Sequence, residues 1–357
     1  MRNLFLLLLV LLGGPASHAQ TSPTAATLTA LMQKAGVPGM QLVYTHGGKV
    51  QAYALGQRTA GQPAAVDATT AFEAASLGKA VLAYVALRLL DRGILELDKP
   101  LLTYCPYPRL QGARNADKIT ARMVLGHTTG LPNWAVSPLS PAWATSPLRL
   151  KYPPDSCWNY SGEGYVFLQK TLERLTRKSF ETLAREEVFK PLGMAHSSFV
   201  WQQKFATNAT SGHDDQRKPT PIAHYPTAYA AYSLFSTAAD YSQFLQAVMT
   251  GQGLKPATAQ LLLTPANEAR RFGQSATATD PFIAWACGVG LATTSRGLAQ
   301  WQWGDNGNFK GFYLTLPGQK QSLVFFTNSS NGAKLTDDLL RLFFGPGEYH
   351  APQWLAE

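Results

Sequence analysis

The chain contains one Ser-x-x-Lys sequence, Ser76 and Lys79, where a strand-like run gives way to a long apolar helical pattern. A helix that begins at about Ser76 would place the hydroxyl and the amine one turn apart on one face, within hydrogen-bonding reach. A buried amine can have a pKa low enough to accept the serine proton, and the free N–H groups of a helix start can stabilise an oxyanion. The alternative is a serine that caps the helix and a lysine in solvent, so the rest of the sequence has to decide.

Two further segments accompany this pair in a fixed order. Tyr160 precedes Ser161 and Gly162 at the start of a second helical run, and residues 303–312 form a glycine-rich stretch before two strand-like segments. Together the three segments resemble the serine β-lactamase, penicillin-binding protein and esterase superfamily, most closely its class C-like branch. The signatures of that superfamily are Ser-x-x-Lys, Tyr-x-Asn or Ser-x-Asn, and Lys-Thr-Gly or His-x-Gly. The resemblance covers residues 27–344.

The periodicity of the chain predicts a sheet, then a helical insertion, then more sheet. A hairpin is expected at residues 40–54, and a buried central helix at residues 80–90. Further segments have the apolar spacing of helices or strands: helices at 164–176, 179–189 and 335–344, and strands at 287–293, 300–303, 311–316 and 322–327. The resemblance implies the same α+β fold, an antiparallel sheet flanked by helices with a mainly helical region at about 101–241, and a catalytic cleft between the two.

The resemblance also assigns roles to individual residues. Ser76 would be the nucleophile and Lys79 its base, while Tyr160 would move a proton to the leaving group and then activate water. A free tyrosine is a poor base at neutral pH, so this role requires a lowered phenol pKa, which the neighbouring ammonium could supply. The N–H groups of Ser76 and Asn308 would bind the oxyanion, with Gly307 allowing the substrate to approach closely. The alternatives are a buried aromatic residue at 160 and an ordinary edge strand at 304–312.

Two positions depart from the superfamily pattern. Gly162 stands where the family has an asparagine whose amide helps to bind the substrate, and Asp305, followed by Asn306, stands where the family has a lysine or histidine. An anion at position 305 would repel the carboxylate of a β-lactam, so efficient β-lactam hydrolysis is not expected. Lys310 is either a compensating cation in the site or a solvated strand residue.

His127 lies in a Leu-Gly-His-Thr-Thr-Gly-Leu-Pro segment that resembles a recurrent family element ahead of the helical region. A catalytic imidazole would need a nearby nucleophile and an acidic partner, which this segment does not supply. We therefore predict a structural role for His127. A Ser-His-Asp hydrolase remains a rival interpretation, although the chain has no Gly-x-Ser-x-Gly elbow.

The ends and composition of the chain predict where it works. Residues 1–19 have the basic start, short apolar run and small residues of a signal peptide, which predicts a secreted or periplasmic domain at 20–357 without a transmembrane anchor. The net charge of +9 is spread along the chain, which argues against a nucleic-acid partner. Three cysteines allow at most one disulfide, with Cys105 and Cys157 the pair to test. No metal or nucleotide motif is present, so no cofactor is expected.

The sequence thus predicts a serine hydrolase that forms an acyl-enzyme on Ser76. Its expected substrate is a small ester, or an amide or peptide of a D-amino acid, with a β-lactam as a further option. The alternative from another class is a penicillin-binding or sensor module with little or no turnover.

Overall fold

The computed structural model describes residues 23–271 and 274–357. Eight of the strands form one antiparallel sheet in the order β2-β1-β12-β11-β10-β9-β8-β7, while β3 pairs with β6 and β4 with β5. The sequence-distant strands β1 and β12 are neighbours, so the first hairpin joins the last strands across the helical region. The strands are β1 (Gly39–His46), β2 (Lys49–Gly56), β3 (Phe72–Ala75), β4 (Gly212–His213), β5 (Pro219–Thr220), β6 (Leu234–Ser236), β7 (Asn267–Glu268), β8 (Ile283–Trp285), β9 (Gly290–Thr294), β10 (Gly297–Asp305), β11 (Lys310–Leu316) and β12 (Gln321–Thr327).

The helices lie on both faces of this sheet. Because successive side chains of a strand point to opposite faces, Phe325 and Phe326 of β12 enter two different cores. The Phe326 core contains α2 and the helical region, and the Phe325 core contains α1, α8 and α9. The helices are α1 (Ala25–Ala35), α2 (Gly78–Asp91), α3 (Ala121–Leu125), α4 (Gly162–Thr176), α5 (Phe180–Ala184), α6 (Ala238–Thr250), α7 (Pro256–Gln260), α8 (Thr336–Phe344) and α9 (His350–Ala356).

The predicted α+β fold is confirmed, and the elements that were predicted differ from the structure mainly at their ends, while α1, α3, α7 and α9 were not predicted. Within the segment predicted as one helix at 179–189, α5 ends at Ala184 and a π-helical turn follows at Arg185–Phe189. The predicted strand at 287–293 begins later, at Gly290. Helix α6 was not predicted, because residues 238–250 span the expected end of the helical region at 241.

The cysteines do not form the candidate disulfide. Cys105, Cys157 and Cys287 are all free thiols, and two of them, Cys105 and Cys287, are buried. A disulfide needs two sulfur atoms about 2 Å apart, and their shared loop-rich region does not bring Cys105 and Cys157 into that geometry. No helix of the described chain combines the length and apolarity needed to cross a bilayer. The predicted leader at 1–19 lies outside the described residues.

A buried ion pair fixes the loop ahead of α4 to the body of the helical region. Arg109 donates to Glu163 at 2.7 Å and 2.9 Å, and the Glu163 side chain is fully buried. The same carboxylate accepts from the indole of Trp143 at 3.0 Å and from the backbone N–H of Ala135 at 3.1 Å. Both carboxylate oxygens accept, Oε1 from three donors and Oε2 from one, so the buried charge is well satisfied.

We expect Arg109→Ala to destabilise the fold strongly, because it leaves the Glu163 carboxylate buried and without a cation. The free energy of unfolding, measured by urea titration, should fall by about 3–5 kcal/mol. The matched control is Lys178→Ala, which breaks the exposed pair between Lys178 and Glu186 (2.5 Å). That change should cost less than about 1 kcal/mol. Similar small losses in both variants would contradict the assigned role of the Arg109–Glu163 pair.

Candidate active site

Ser76 lies in the turn between β3 and α2. The chain leaves β3 through Ala75, whose φ is 50°, and the helix predicted at residues 80–90 begins at Gly78, two residues after the start at about Ser76 that would place Ser76 and Lys79 one turn apart. The turn is closed by hydrogen bonds from the N–H of Leu77 to Ala74 and from the N–H of Lys79 to Ser76. Ser76 is partly exposed while Lys79 is buried. The turn therefore presents the hydroxyl to solvent with the lysine behind it.

The Lys79 amine is the most strongly constrained group of the site. Its Nζ donates to the Ser76 hydroxyl at 3.0 Å and to the Ala231 carbonyl at 2.7 Å. Burial lowers the pKa of Lys79 from 10.5 to about 7, because the charged form loses its hydration. A large share of the lysine is thus neutral near pH 7 and able to accept a proton. The predicted juxtaposition of hydroxyl and amine is present.

Tyr160 lies beside this pair, with the Lys79 Nζ 4.8 Å from the centre of its ring. The pKa of Tyr160 is raised, whereas the role predicted from the sequence required a lowered pKa. Burial raises the pKa of the phenol, the Asp305 charge raises it further, and only the Ser76 hydroxyl opposes the rise. The phenol of the free protein is therefore a proton donor at neutral pH. It forms no hydrogen bond of ordinary geometry with the described residues.

His127 packs against Tyr160 from behind. The two ring centres are 4.4 Å apart, and the imidazole is fully buried with its Nδ1 accepting from the N–H of Ser161 at 3.1 Å. Burial and the nearby Lys79 charge hold the pKa of His127 well below its usual value. A neutral imidazole that contacts the tyrosine ring and the start of α4 is suited to positioning Tyr160.

Trp134 occupies the space beside Gly162. A Cβ atom at position 162 would lie 2.4 Å from the Trp134 ring, so this indole and any side chain at 162 exclude each other. Sequence reasoning missed Trp134, which lies in the irregular segment between His127 and Tyr160. A signal was available: a glycine in place of a side chain at a cleft position indicates that another group takes its volume. The Trp134 ring thus occupies the space that the side chain of an asparagine at position 162 would need.

The third segment forms the tight connection between β10 and β11. Lys310 lies opposite Asp305 in the register and its Nζ is 2.5 Å from the Asp305 Oδ1. It matches neither predicted alternative, because it is paired and mostly buried and it lies outside the cleft lining. The Asp305 Oδ1 also accepts from the N–H of Gly307 at 2.7 Å. The N–H of Asn308 donates to the Asn306 carbonyl at 3.1 Å. The amide predicted as the second oxyanion donor is therefore engaged within its own turn, because Asp305 tightens that turn.

Asn306 and Asn308 are held by different partners. The Asn306 amide donates to the buried Glu73 carboxylate at 2.6 Å and to the Tyr232 carbonyl at 3.2 Å. Burial raises the pKa of Glu73, although its hydrogen bonds oppose the rise. The Asn308 side chain instead donates to Thr220. Asn306 thus connects the β10–β11 turn to β3, the strand that precedes Ser76, a link that sequence alone did not reveal.

These residues surround a cleft of about 420 Å³. Ser76, Tyr160, Asp305 and Asn306 face it together, whereas Gly162, Gly307 and Asn308 are absent from its lining. Among residues 23–271 and 274–357, no group of three or more histidine, cysteine, aspartate or glutamate side chains could hold a metal ion. The lining residues are Ser76, Asn133, Trp134, Ser137, Pro138, Leu139, Tyr160, Tyr225, Ala231, Tyr232, Trp303, Asp305 and Asn306.

The family model described as "Beta-lactamase" matches residues 24–343, almost the whole described chain. The chain belongs to the β-lactamase family. This relationship supports serine hydrolase activity in general and confirms the resemblance that the three sequence segments indicated.

Curated relatives of this family member are distant in sequence. A β-lactamase of Yersinia enterocolitica is 26% identical over 64% of this chain, and penicillin-binding protein 4 of Amycolatopsis lactamdurans is 24% identical over 88% of this chain and 87% of its own. A penicillin-binding protein of Bacillus subtilis (strain 168) is 24% identical over 74% of this chain. The chain spans only 59% of the Yersinia protein and 64% of the Bacillus protein.

Solved structures support the fold of this family member. The β-lactamase/D-alanine carboxypeptidase of Pseudomonas syringae has a TM-score of 0.73 at 17% identity, with 88% of this chain and 96% of that chain covered. A class C β-lactamase has a TM-score of 0.71 at 21% identity, with 88% and 93% covered. At these identities the likeness establishes the architecture alone.

We expect Lys79→Met to stabilise this β-lactamase family member most at low pH. The unfolded chain holds the lysine proton up to about pH 10.5 and the folded chain only up to about pH 7, so the wild type gains stability as the pH rises through that window. Below pH 7 both states are protonated, and the full cost of burying the charge remains. Urea unfolding at pH 6 and pH 9 should show the advantage of Lys79→Met shrinking, by up to about 1.4 kcal/mol per pH unit.

Lys49→Met is the control for this measurement. Lys49 is exposed on β2, so its difference from wild type should be flat between pH 6 and pH 9. A Lys79→Met advantage that is equally flat would show that Lys79 is not desolvated as described.

The exclusion between positions 162 and 134 predicts a strong coupling between two substitutions. Gly162→Asn alone should lower the free energy of unfolding by about 1–3 kcal/mol, because the new side chain overlaps the Trp134 indole. Trp134→Ala alone leaves a hole, and Gly162→Asn should cost much less in its presence. Urea unfolding of the two single variants and the double variant measures the coupling directly. Costs that simply add would mean that the two side chains do not compete for one volume.

Proposed function

We propose that this protein is a secreted or periplasmic serine hydrolase that forms an acyl-enzyme on Ser76. The observation that carries the proposal is the buried Lys79 amine, 3.0 Å from the Ser76 hydroxyl, with a pKa lowered to about 7. A neutral amine at this position can remove the serine proton without a histidine. His127 is an unsuitable base for Ser76, since its Nδ1 accepts from the N–H of Ser161 and the neutral ring then carries its proton on Nε2.

In the first half-reaction, Lys79 accepts the Ser76 proton while the serine oxygen bonds to the substrate carbonyl. The leaving group departs with a proton from the phenol of Tyr160. The Lys79 ammonium then returns a proton to the Tyr160 phenolate oxygen. In the second half, water attacks the acyl-enzyme, and its proton passes through Tyr160 to the neutral Lys79. The bond between the acyl carbon and the Ser76 oxygen then breaks, and the Lys79 ammonium returns a proton to that serine oxygen. The raised pKa of Tyr160 fits a relay that is protonated at rest, and it disfavours a resting phenolate base.

The proposed substrate is a small ester, or an amide or peptide of a D-amino acid, with a β-lactam as a weaker option. The Trp134 ring fills the place beside Gly162, and Asp305 presents an anion where a substrate carboxylate would bind. Both features disfavour the β-lactams that the relatives' names suggest. We propose no nucleic-acid partner and no cofactor. The leader predicted at residues 1–19 supports export.

A second candidate function is a penicillin-binding or sensor module with little or no turnover. One observation favours it: the N–H of Asn308 donates to Asn306 and is not available as an oxyanion donor in this conformation. Loss of one such donor typically lowers the rate by about 10²–10³. The acyl-enzyme would then form slowly and persist.

Intact-mass spectrometry with a fluorophosphonate, and separately with a penicillin, distinguishes these functions. We expect a fluorophosphonate adduct on the wild type that is lost in Ser76→Ala and retained in Ser137→Ala, whose serine lines the same cleft and whose hydroxyl accepts from the N–H of Leu139. The acylation rate should rise with pH through about 7 as Lys79 loses its proton.

The decay of the adducts separates the two functions. A penicillin adduct that does not decay would support the binding module, and an ester adduct that is turned over would support the hydrolase. Absence of any Ser76-dependent adduct in folded protein would contradict both.

A further inference from the structure

The proposed function leaves open what kind of molecule the cleft accepts. We infer that the substrate carries an alkylammonium group, bound between the Asp305 carboxylate and the aromatic walls of the cleft. This inference rests on the proposed function, because it describes the same cleft and names the charge of its substrate.

The first argument is the charge of the cleft lining. Asp305 is the one aspartate, glutamate, lysine or arginine among the described residues that line it. The Asp305 side chain is 48% exposed, whereas its partner Lys310 is 16% exposed and lies behind it, outside the lining. Both the Lys310 amine and the Gly307 N–H bind Oδ1. The other oxygen, Oδ2, accepts no hydrogen bond from the described residues and is free to bind a ligand cation.

The second argument concerns which charge is felt inside the site. The Asp305 charge acts on the Tyr160 phenol and raises its pKa, so the field of this carboxylate reaches the reacting centre although Lys310 is paired with it. An incoming cation would be attracted to the same field.

The third argument is the chemistry of the walls. Trp134 and Tyr232 line the cleft and meet edge to face with ring centres 5.7 Å apart, and Trp303 also lines it and packs against Tyr160 with ring centres 4.7 Å apart. The faces of such rings attract alkylammonium ions, and clusters of them with a nearby carboxylate suit quaternary ammonium groups. The aromatic walls and Asp305 therefore both attract an alkylammonium group. A neutral alkyl group in the same place would gain only the burial of its apolar surface.

A substrate carboxylate has no equivalent place. It would meet Asp305 first, because Lys310 lies outside the cleft lining and its amine is already paired with the Asp305 carboxylate. Contact between two negative charges weakens the binding of an anionic substrate and leaves the binding of neutral substrates nearly unchanged. It therefore acts mainly on specificity.

Three p-nitrophenyl esters that differ in one terminal group test the inference. The acyl chains end in a trimethylammonium group, a tert-butyl group of the same shape, or a carboxylate. We expect the wild-type kcat/KM of the cationic ester to exceed that of the tert-butyl ester about five- to tenfold. The carboxylate ester should be the poorest of the three. Equal values for the cationic and tert-butyl esters, or a preference for the carboxylate, would overturn the inference.

Two variants then locate the effect. Asp305→Asn keeps the Oδ1 that accepts from Gly307 and removes the charge, so the cation preference should fall to the level given by the aromatic walls, about two- to fivefold. Lys310→Met keeps the length of the side chain and frees the carboxylate, so the preference should grow beyond the wild-type value. Using the ratio between two esters removes any general effect of either variant on turnover. A ratio unchanged in both variants would contradict the role of Asp305.

Ser76→Ala protein separates this inference from the proposed function. Calorimetric titration with the three intact esters measures recognition without any chemistry. Tighter binding of the cationic ester than of its tert-butyl counterpart, lost in Ser76→Ala/Asp305→Asn, would support the inference even if the wild type hydrolysed none of them. Hydrolysis of all three at one rate, with equal binding, would keep the proposed function and overturn the inference.

Discussion

The desolvation of the Lys79 amine is the constraint on which the rest of the site depends. An ammonium ion removed from water is costly, and two hydrogen bonds, to Ser76 and Ala231, do not fully replace its hydration. The fold accepts this cost because α2 runs through the centre of a core, where almost every residue of its first turns is buried. In the function we propose, the resulting neutral amine activates Ser76, so that a group whose burial lowers stability supplies the base.

The same burial sets the roles of the neighbouring rings. His127 and Tyr160 lie in a pocket too dry for either to hold a charge easily, so the imidazole stays neutral and the phenol keeps its proton. Lys79 is then the group with a pKa within reach of neutral pH. In the function we propose, Lys79 is the base and Tyr160 passes protons while it stays protonated at rest. This scheme depends on the positions of the two groups more than on the acidity of Tyr160.

The sequence predicted the fold, and with it the meeting of Ser76, Lys79 and Tyr160, because these depend on local patterns. The spacing of Ser76 and Lys79 survives a two-residue shift in the start of α2, since one helical turn still connects them. What it could not predict depends on contacts between distant segments. The direction of the Tyr160 pKa follows from burial by several elements, and the pairing of Asp305 with Lys310 follows from the register of a hairpin. The Ala231 carbonyl is a backbone group, which no side-chain motif can reveal.

The Arg109–Glu163 pair gives the cleft a mechanical property. Glu163 follows Gly162 in α4 and also binds the backbone of Ala135, next to Trp134, so one carboxylate anchors both the tryptophan wall and the helix that Tyr160 precedes. The segment that carries Trp134 and the start of α4 are therefore held by the same carboxylate. The exposed rim beyond it, around Val136 and Leu139, carries no such anchor. Substitutions in that rim can change the shape of the cleft while Ser76, Lys79 and Tyr160 keep their positions. Substrate selectivity can therefore evolve without a change in these three residues.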